Sequence, residues 1–226
     1  VKLMEFALFA LTSRQDKYVA RVVELLPRVA ELLAAPCDLA AFPQVVNWAA
    51  CHDAADALVA YDLVYHHPSW TVENRRRVEE SLLTIGRRIE GIGSSYHLCN
   101  SSFYYQVFRV IAGCFFDRED WIDTALECPG GVKSALSPPE PTGGNRDLRW
   151  YMFGDNDSPH RRLQRFAGGT VDGCIWNETG GYGLNAMLSQ LLFIAEALRK
   201  RGGFDLYEYE APGGGKPGAK TAAKEL

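Results

Sequence analysis

Hydrophobic side chains recur along most of this chain at intervals of three and four residues, the spacing of one face of an α-helix. Pro36 is expected to end one helix, and Thr71 is expected to cap the next well-marked one, with Glu73 in its first turn. The apolar stripes of these two helices are Val22, Leu25, Leu26, Val29, Leu32 and Leu33, and then Val78, Leu82, Ile85 and Ile89.

The same periodicity predicts five further helices. They cover residues 1–11, 45–65, a stretch beginning near Asn100 (with Phe103, Val107, Ile111 and Cys114), 118–126 and 185–199 (with Met187, Leu188, Leu191, Ala195 and Leu198). Residues 204–209 are the one stretch that suggests a short strand. Successive antiparallel helices with short turns predict an all-α fold, an incomplete (α/α) toroid of helical hairpins over residues 1–211.

Two stretches depart from the helical pattern. Residues 137–158 are rich in Pro, Gly, Asn and Asp, which predicts a long surface loop. Residues 212–226 are mostly Gly, Lys and Ala without aromatic side chains, and such a segment cannot bury enough apolar area to become ordered. We therefore expect a flexible linker or tail there.

Charge and composition narrow the classes of partner. The formal net charge is −4, whereas a nucleic-acid-binding protein is usually basic, so no nucleic-acid partner is expected. No stretch is long and apolar enough to span a membrane, so no membrane partner is expected either. An anionic ligand would need local positive charge. The Arg-rich stretch 75–88 and the cluster of Arg161, Arg162 and Arg165 are candidates, although a solvated helix face is the simpler explanation of both.

The cysteines do not suggest a metal site. The six of them include no CxxC pair, and their spacings do not match a zinc site. Several lie in apolar helical surroundings, as buried thiols do. We therefore expect no metal and no cofactor.

Two segments carry polar groups that suggest chemistry. In residues 96–105, His97, Tyr104 and Tyr105 surround Asn100 at the start of a predicted helix, where free N–H groups can hold an anion. An Asn that caps the helix, with the tyrosines packed behind it, would explain the same residues. In residues 172–183, glycines bracket Trp176, Glu178 and Tyr182, which suits a turn that approaches a substrate, or a turn stabilised by a local Tyr hydrogen bond.

These segments and their surroundings resemble the N-terminal helical domain of the heparinase II/III-like and alginate lyase families, over residues 44–200. The matching features are Tyr61-Asp62-Leu63-Val64-Tyr65 before Pro68 and an Arg/Glu-rich helix, Asn100 opening an aromatic helix that ends near Asp117, Ala125-Leu126 before Pro129-Gly130-Gly131, and the run from Asp172-Gly173 to Tyr182.

The resemblance implies a polysaccharide lyase that cleaves uronic-acid-containing chains by β-elimination. It implies that Asn100 neutralises the uronate carboxylate and that Tyr182 transfers protons. It also implies an acidic polysaccharide as substrate, a separate C-terminal β-sheet domain as a further partner of these helices, and a secreted or periplasmic location of bacterial type. Many relatives carry a His about five residues after the Asn, where this chain has Tyr105.

The chemistry fits the residue types. The C5 proton of a uronate becomes removable only when the neighbouring carboxylate is neutralised or hydrogen-bonded. Asn100 at a helix N-terminus suits that role, and a Tyr with a lowered pKa suits the proton transfers. The remaining predicted site residues are His97, Tyr104, Tyr105, Trp176 and Glu178, with His52 as a weaker candidate for the wall of the groove.

Two other functions stay open on the sequence. A glycoside hydrolase on a similar toroid would need two carboxyl groups roughly 5–10 Å apart, for which Glu178 could pair with Asp172 or Asp155. A non-catalytic carbohydrate-binding or structural helical domain would need neither a base nor an acid.

Overall fold

The computed structural model describes residues 3–36, 43–90, 100–128, 131–133 and 189–209 of the 226-residue chain. Within these residues there are seven α-helices and no strand, so the predicted all-α fold class is confirmed. The helices are α1 (Leu3–Thr12), α2 (Asp16–Ala34), α3 (Pro43–Leu63), α4 (Val72–Glu90), α5 (Asn100–Phe116), α6 (Glu119–Glu127) and α7 (Ser189–Arg201).

The chain divides into two compact units, Val1–Gly91 and Ile92–Leu226. In the first unit, α2 packs against α4, α1 packs against both α2 and α3, and α3 also packs against α2 and α4. In the second unit, α5 packs against α6 and α7. None of the helices in the described stretches combines the length and the apolar character that crossing a membrane requires.

The helix α4 follows its sequence signals closely. The backbone N–H of Asn74 donates a hydrogen bond of 3.1 Å to Oγ1 of Thr71, so the predicted cap is confirmed. The four residues of the predicted stripe, Val78, Leu82, Ile85 and Ile89, are all buried. In this helix one face carries nearly all the apolar residues, so local pattern and tertiary packing agree.

The buried face of α2 differs in part from the predicted stripe. Val22 and Leu26 are buried as expected, but Leu32 is 68 % exposed. The buried side chains of α2 are Val19, Val22, Val23, Leu26, Pro27 and Ala30. Because this helix has more apolar residues than one face can hold, packing against α1, α3 and α4 decides which of them enter the core.

The turn between α3 and α4 is built around Trp70. Its indole Nε1 donates a 2.8 Å hydrogen bond to the carbonyl oxygen of Val64. The ring meets that of Tyr61 edge-on at a centroid distance of 5.0 Å. The guanidinium of Arg75 lies 4.4 Å from the ring centre of Tyr65 and donates a hydrogen bond of 2.6 Å to the carbonyl oxygen of that residue. Several residues of the motif at 61–65 therefore stabilise this turn.

Tyr61 has a structural partner of its own. Its hydroxyl donates a 2.7 Å hydrogen bond to Oε1 of Glu79, and the side chain is fully buried. Burial first, and then the bond to the Glu79 carboxylate, raise the pKa of Tyr61 above its ordinary value. A phenol held in this way does not ionise easily, so Tyr61 is a poor candidate for an acid–base group.

In the second unit, contacts of Arg201, the last residue of α7, stabilise the packing of α5, α6 and α7. Nη2 of Arg201 lies 2.9 Å from Oδ1 of Asp117 and also pairs with Glu119. Nη1 of Arg201 donates a 3.3 Å hydrogen bond to the carbonyl oxygen of Gly113. A Cβ atom at Gly113 would lie 2.7 Å from Cγ1 of Ile122, so this glycine permits the close approach of α5 and α6.

The short strand suggested for residues 204–209 is wrong. The structure has turns there, and the backbone N–H of Tyr207 donates a 2.8 Å hydrogen bond to Oδ1 of Asp205. An isolated strand has no ladder of backbone hydrogen bonds to join, whereas an Asp side chain can satisfy a backbone N–H two residues later. The local bond therefore replaces strand pairing.

Candidate functional site

The helix α5 begins at Asn100, as the sequence predicted, and continues for 17 residues. The first four backbone N–H groups of an α-helix have no acceptor within the helix, and the helix dipole adds partial positive charge at this end. A backbone of this kind at Asn100 suits an anionic ligand or a capping side chain. The side chains of residues 100–103 lie outside the described part of the molecule.

The two tyrosines that follow have different environments. Tyr104 is half-buried, whereas Tyr105 is only 5 % exposed. Successive residues in a helix are rotated by about 100°, so Tyr104 lies one turn after Asn100 on nearly the same side, and Tyr105 lies towards the other side. Tyr105 thus packs in the core of the second unit, and Tyr104 is the more exposed of the two predicted site tyrosines.

Sequence reasoning missed a buried polar pair on α5. Nη1 of Arg109 donates a 3.2 Å hydrogen bond to Oε1 of Gln106, and both side chains are 2 % exposed. Nε2 of Gln106 in turn lies 3.7 Å from Sγ of Cys128. A buried guanidinium must be hydrogen-bonded or paired with an anion to be tolerated. The signal was available as Gln106 and Arg109, three residues apart in an otherwise apolar helix.

His52 lies on α3, in the first unit, beside two carboxylates. Its Nδ1 is 3.1 Å from Oδ1 of Asp53, and both side chains are partly exposed. Burial is the largest influence on the nearby Asp56, whose pKa it raises. The electrostatic interaction with His52 lowers that pKa, and repulsion from Asp53 and Glu5 raises it further. The arrangement is a polar patch on a packed helix, and its part in a binding groove stays a prediction.

Asp56→Asn is expected to raise the melting temperature at neutral pH. The raised pKa means that the folded protein disfavours the charged form, so this carboxylate lowers stability once the pH exceeds its unfolded pKa of about 3.9. Below that pH the group is protonated in both states, and the advantage of Asn should disappear. Thermal unfolding followed by circular dichroism, at neutral pH and near pH 3, measures the rise in melting temperature and its loss at low pH. Asp62→Asn on the exposed side of α3 is the control, and an equal rise there would contradict the explanation.

Two arginines of the helix α4, Arg76 and Arg77, form ion pairs. Nε and Nη2 of Arg77 lie 2.6 and 2.7 Å from the two carboxylate oxygens of Glu31. Arg76 pairs with Glu73 and Glu80, each at 2.6 Å. These bonds lower the pKa of Glu31 and of Glu73.

An open groove of about 420 Å³ lies between α2 and α4, and these ion pairs line it. Arg76 and Arg77 are already bound to carboxylates, so an anionic ligand would have to displace those carboxylates. Arg76 and Arg77 therefore form a solvated, ion-paired part of the surface of α4, which is the simpler of the two interpretations that the sequence allowed. Arg75 and Arg88 instead donate hydrogen bonds to the backbone carbonyl oxygens of Tyr65 and Ala34.

Half of the eight predicted site residues lie outside the described residues. This is true of His97, Trp176, Glu178 and Tyr182, and of Asp155 and Asp172, which could serve a hydrolase. A shared site would need Asn100 and Tyr182 to lie close together on one concave face, and this proximity stays a prediction.

Within the described stretches, no group of three or more His, Cys, Asp or Glu side chains could hold a metal ion. Cys114 of α5 is a half-buried free thiol. Burial is the main reason that the pKa of Cys114 is raised, which disfavours the reactive thiolate.

Comparisons with known proteins found no relative of this chain. No family model, no curated protein and no solved structure matches the chain.

Proposed function

We propose that this chain is the helical, toroid-type domain of a polysaccharide lyase that acts on uronic-acid-containing chains by β-elimination. Asn100 binds the uronate carboxylate, and Tyr182 transfers protons between C5 and the leaving oxygen at C4. Tyr104, Trp176 and His97 contribute to the groove. The enzyme is secreted or periplasmic, and a C-terminal β-sheet domain completes its cleft.

One observation carries most weight: Asn100 is the first residue of a 17-residue helix. An amide side chain and the first-turn N–H groups of α5 can then act on the same carboxylate, as the reaction requires. When the C5 proton leaves, negative charge develops on this carboxylate. Donors that are already oriented stabilise that charge without a cost of reorganisation.

The packing of the first unit supports the toroid. The helix α1 packs against α2 and α3, and α2 packs against α3 and α4. Each of these helices therefore contacts the helix that follows it in the chain and also the one after that. Such contacts arise when successive helices alternate between two layers. A toroid of helical hairpins has this arrangement, with its inner ends available for a groove.

The proposal is tested by incubating the protein with a panel of uronic-acid polysaccharides. A lyase creates a C4–C5 double bond, so ultraviolet absorbance of the unsaturated uronate should rise as the chains shorten. New reducing ends without that absorbance would identify a hydrolase instead. Binding of the polymers without any cleavage would favour a non-catalytic carbohydrate-binding domain.

In a form that shows this activity, Asn100→Ala is expected to lower turnover by about 10²- to 10³-fold, as does the loss of one donor to a developing oxyanion. Asn100→Asp preserves the shape but adds negative charge opposite the uronate, so both binding and turnover should fall. Initial rates over a range of polymer concentrations separate the two effects. Ser101→Ala, the next residue of α5, is the control. Full turnover in Asn100→Ala would remove this residue from the mechanism.

A further inference from the structure

We draw no further inference here: the strongest candidate, the open groove between α2 and α4, carries nothing because the arginines and glutamates that line it are already paired with one another, and nothing in the described residues shows which ligand it would take.

Discussion

Tyr182→Phe is expected to reduce the rate of β-elimination by about 10²- to 10⁴-fold, the usual contribution of a positioned acid or base. Phe keeps the aromatic ring but lacks the hydroxyl that transfers the proton in the proposed mechanism. Binding of the polysaccharide should therefore change little, so that kcat falls while KM stays close to its original value. The rate of formation of unsaturated uronate gives the first quantity, and calorimetric titration with the polymer gives the binding affinity.

Tyr207→Phe is the matched control for this experiment. It removes the same group from another tyrosine of the second unit, one whose hydroxyl donates a 2.6 Å hydrogen bond to Oε1 of Glu196. Because that hydroxyl already has a structural partner, its loss should leave the elimination rate nearly unchanged. Full activity in Tyr182→Phe would show that another group transfers the proton.

Trp70→Ala is expected to lower the free energy of unfolding by about 3–5 kcal/mol, the usual range for removing a large aromatic side chain from a core. The indole is buried between α3 and α4, where it meets Tyr61 and donates a hydrogen bond to the carbonyl oxygen of Val64. The small Ala side chain would leave a cavity at this turn. Urea denaturation followed by circular dichroism measures the loss.

Two further variants separate the contributions of Trp70. Trp70→Phe retains much of the ring contact but loses the indole N–H, and the carbonyl oxygen of Val64 keeps its bond from the backbone N–H of His67. That variant should therefore cost only about 1–2 kcal/mol. Val72→Ala nearby, at an exposed position, should change stability by less than about 0.5 kcal/mol. A loss below about 1 kcal/mol in Trp70→Ala would mean that the turn does not depend on this residue.

For the candidate site, the sequence predicted which residue types lie at the ends of segments, but not how their side chains pack. The position of Asn100 at the start of α5 was predictable, because a helix N-terminus is signalled by local residues. The different burial of Tyr104 and Tyr105 was not assigned in advance, since both carry the same chemistry and only the packing of α5 distinguishes them. The buried pair of Gln106 and Arg109 was missed because hydrophobic periodicity treats such residues as exposed.

The sequence by itself determined the helical class and, for the best-marked helix, its cap and its buried face. Thr71 caps α4, and the apolar side chains from Val78 to Ile89 are buried, because these features depend on neighbours within one or two turns. Tertiary structure decided which apolar side of α2 is buried, and it left Leu32 exposed. It also placed Arg77 beside Glu31, which lies 46 residues away in the chain. Local periodicity does not contain such choices, since they are set by side chains that meet only when separate helices pack.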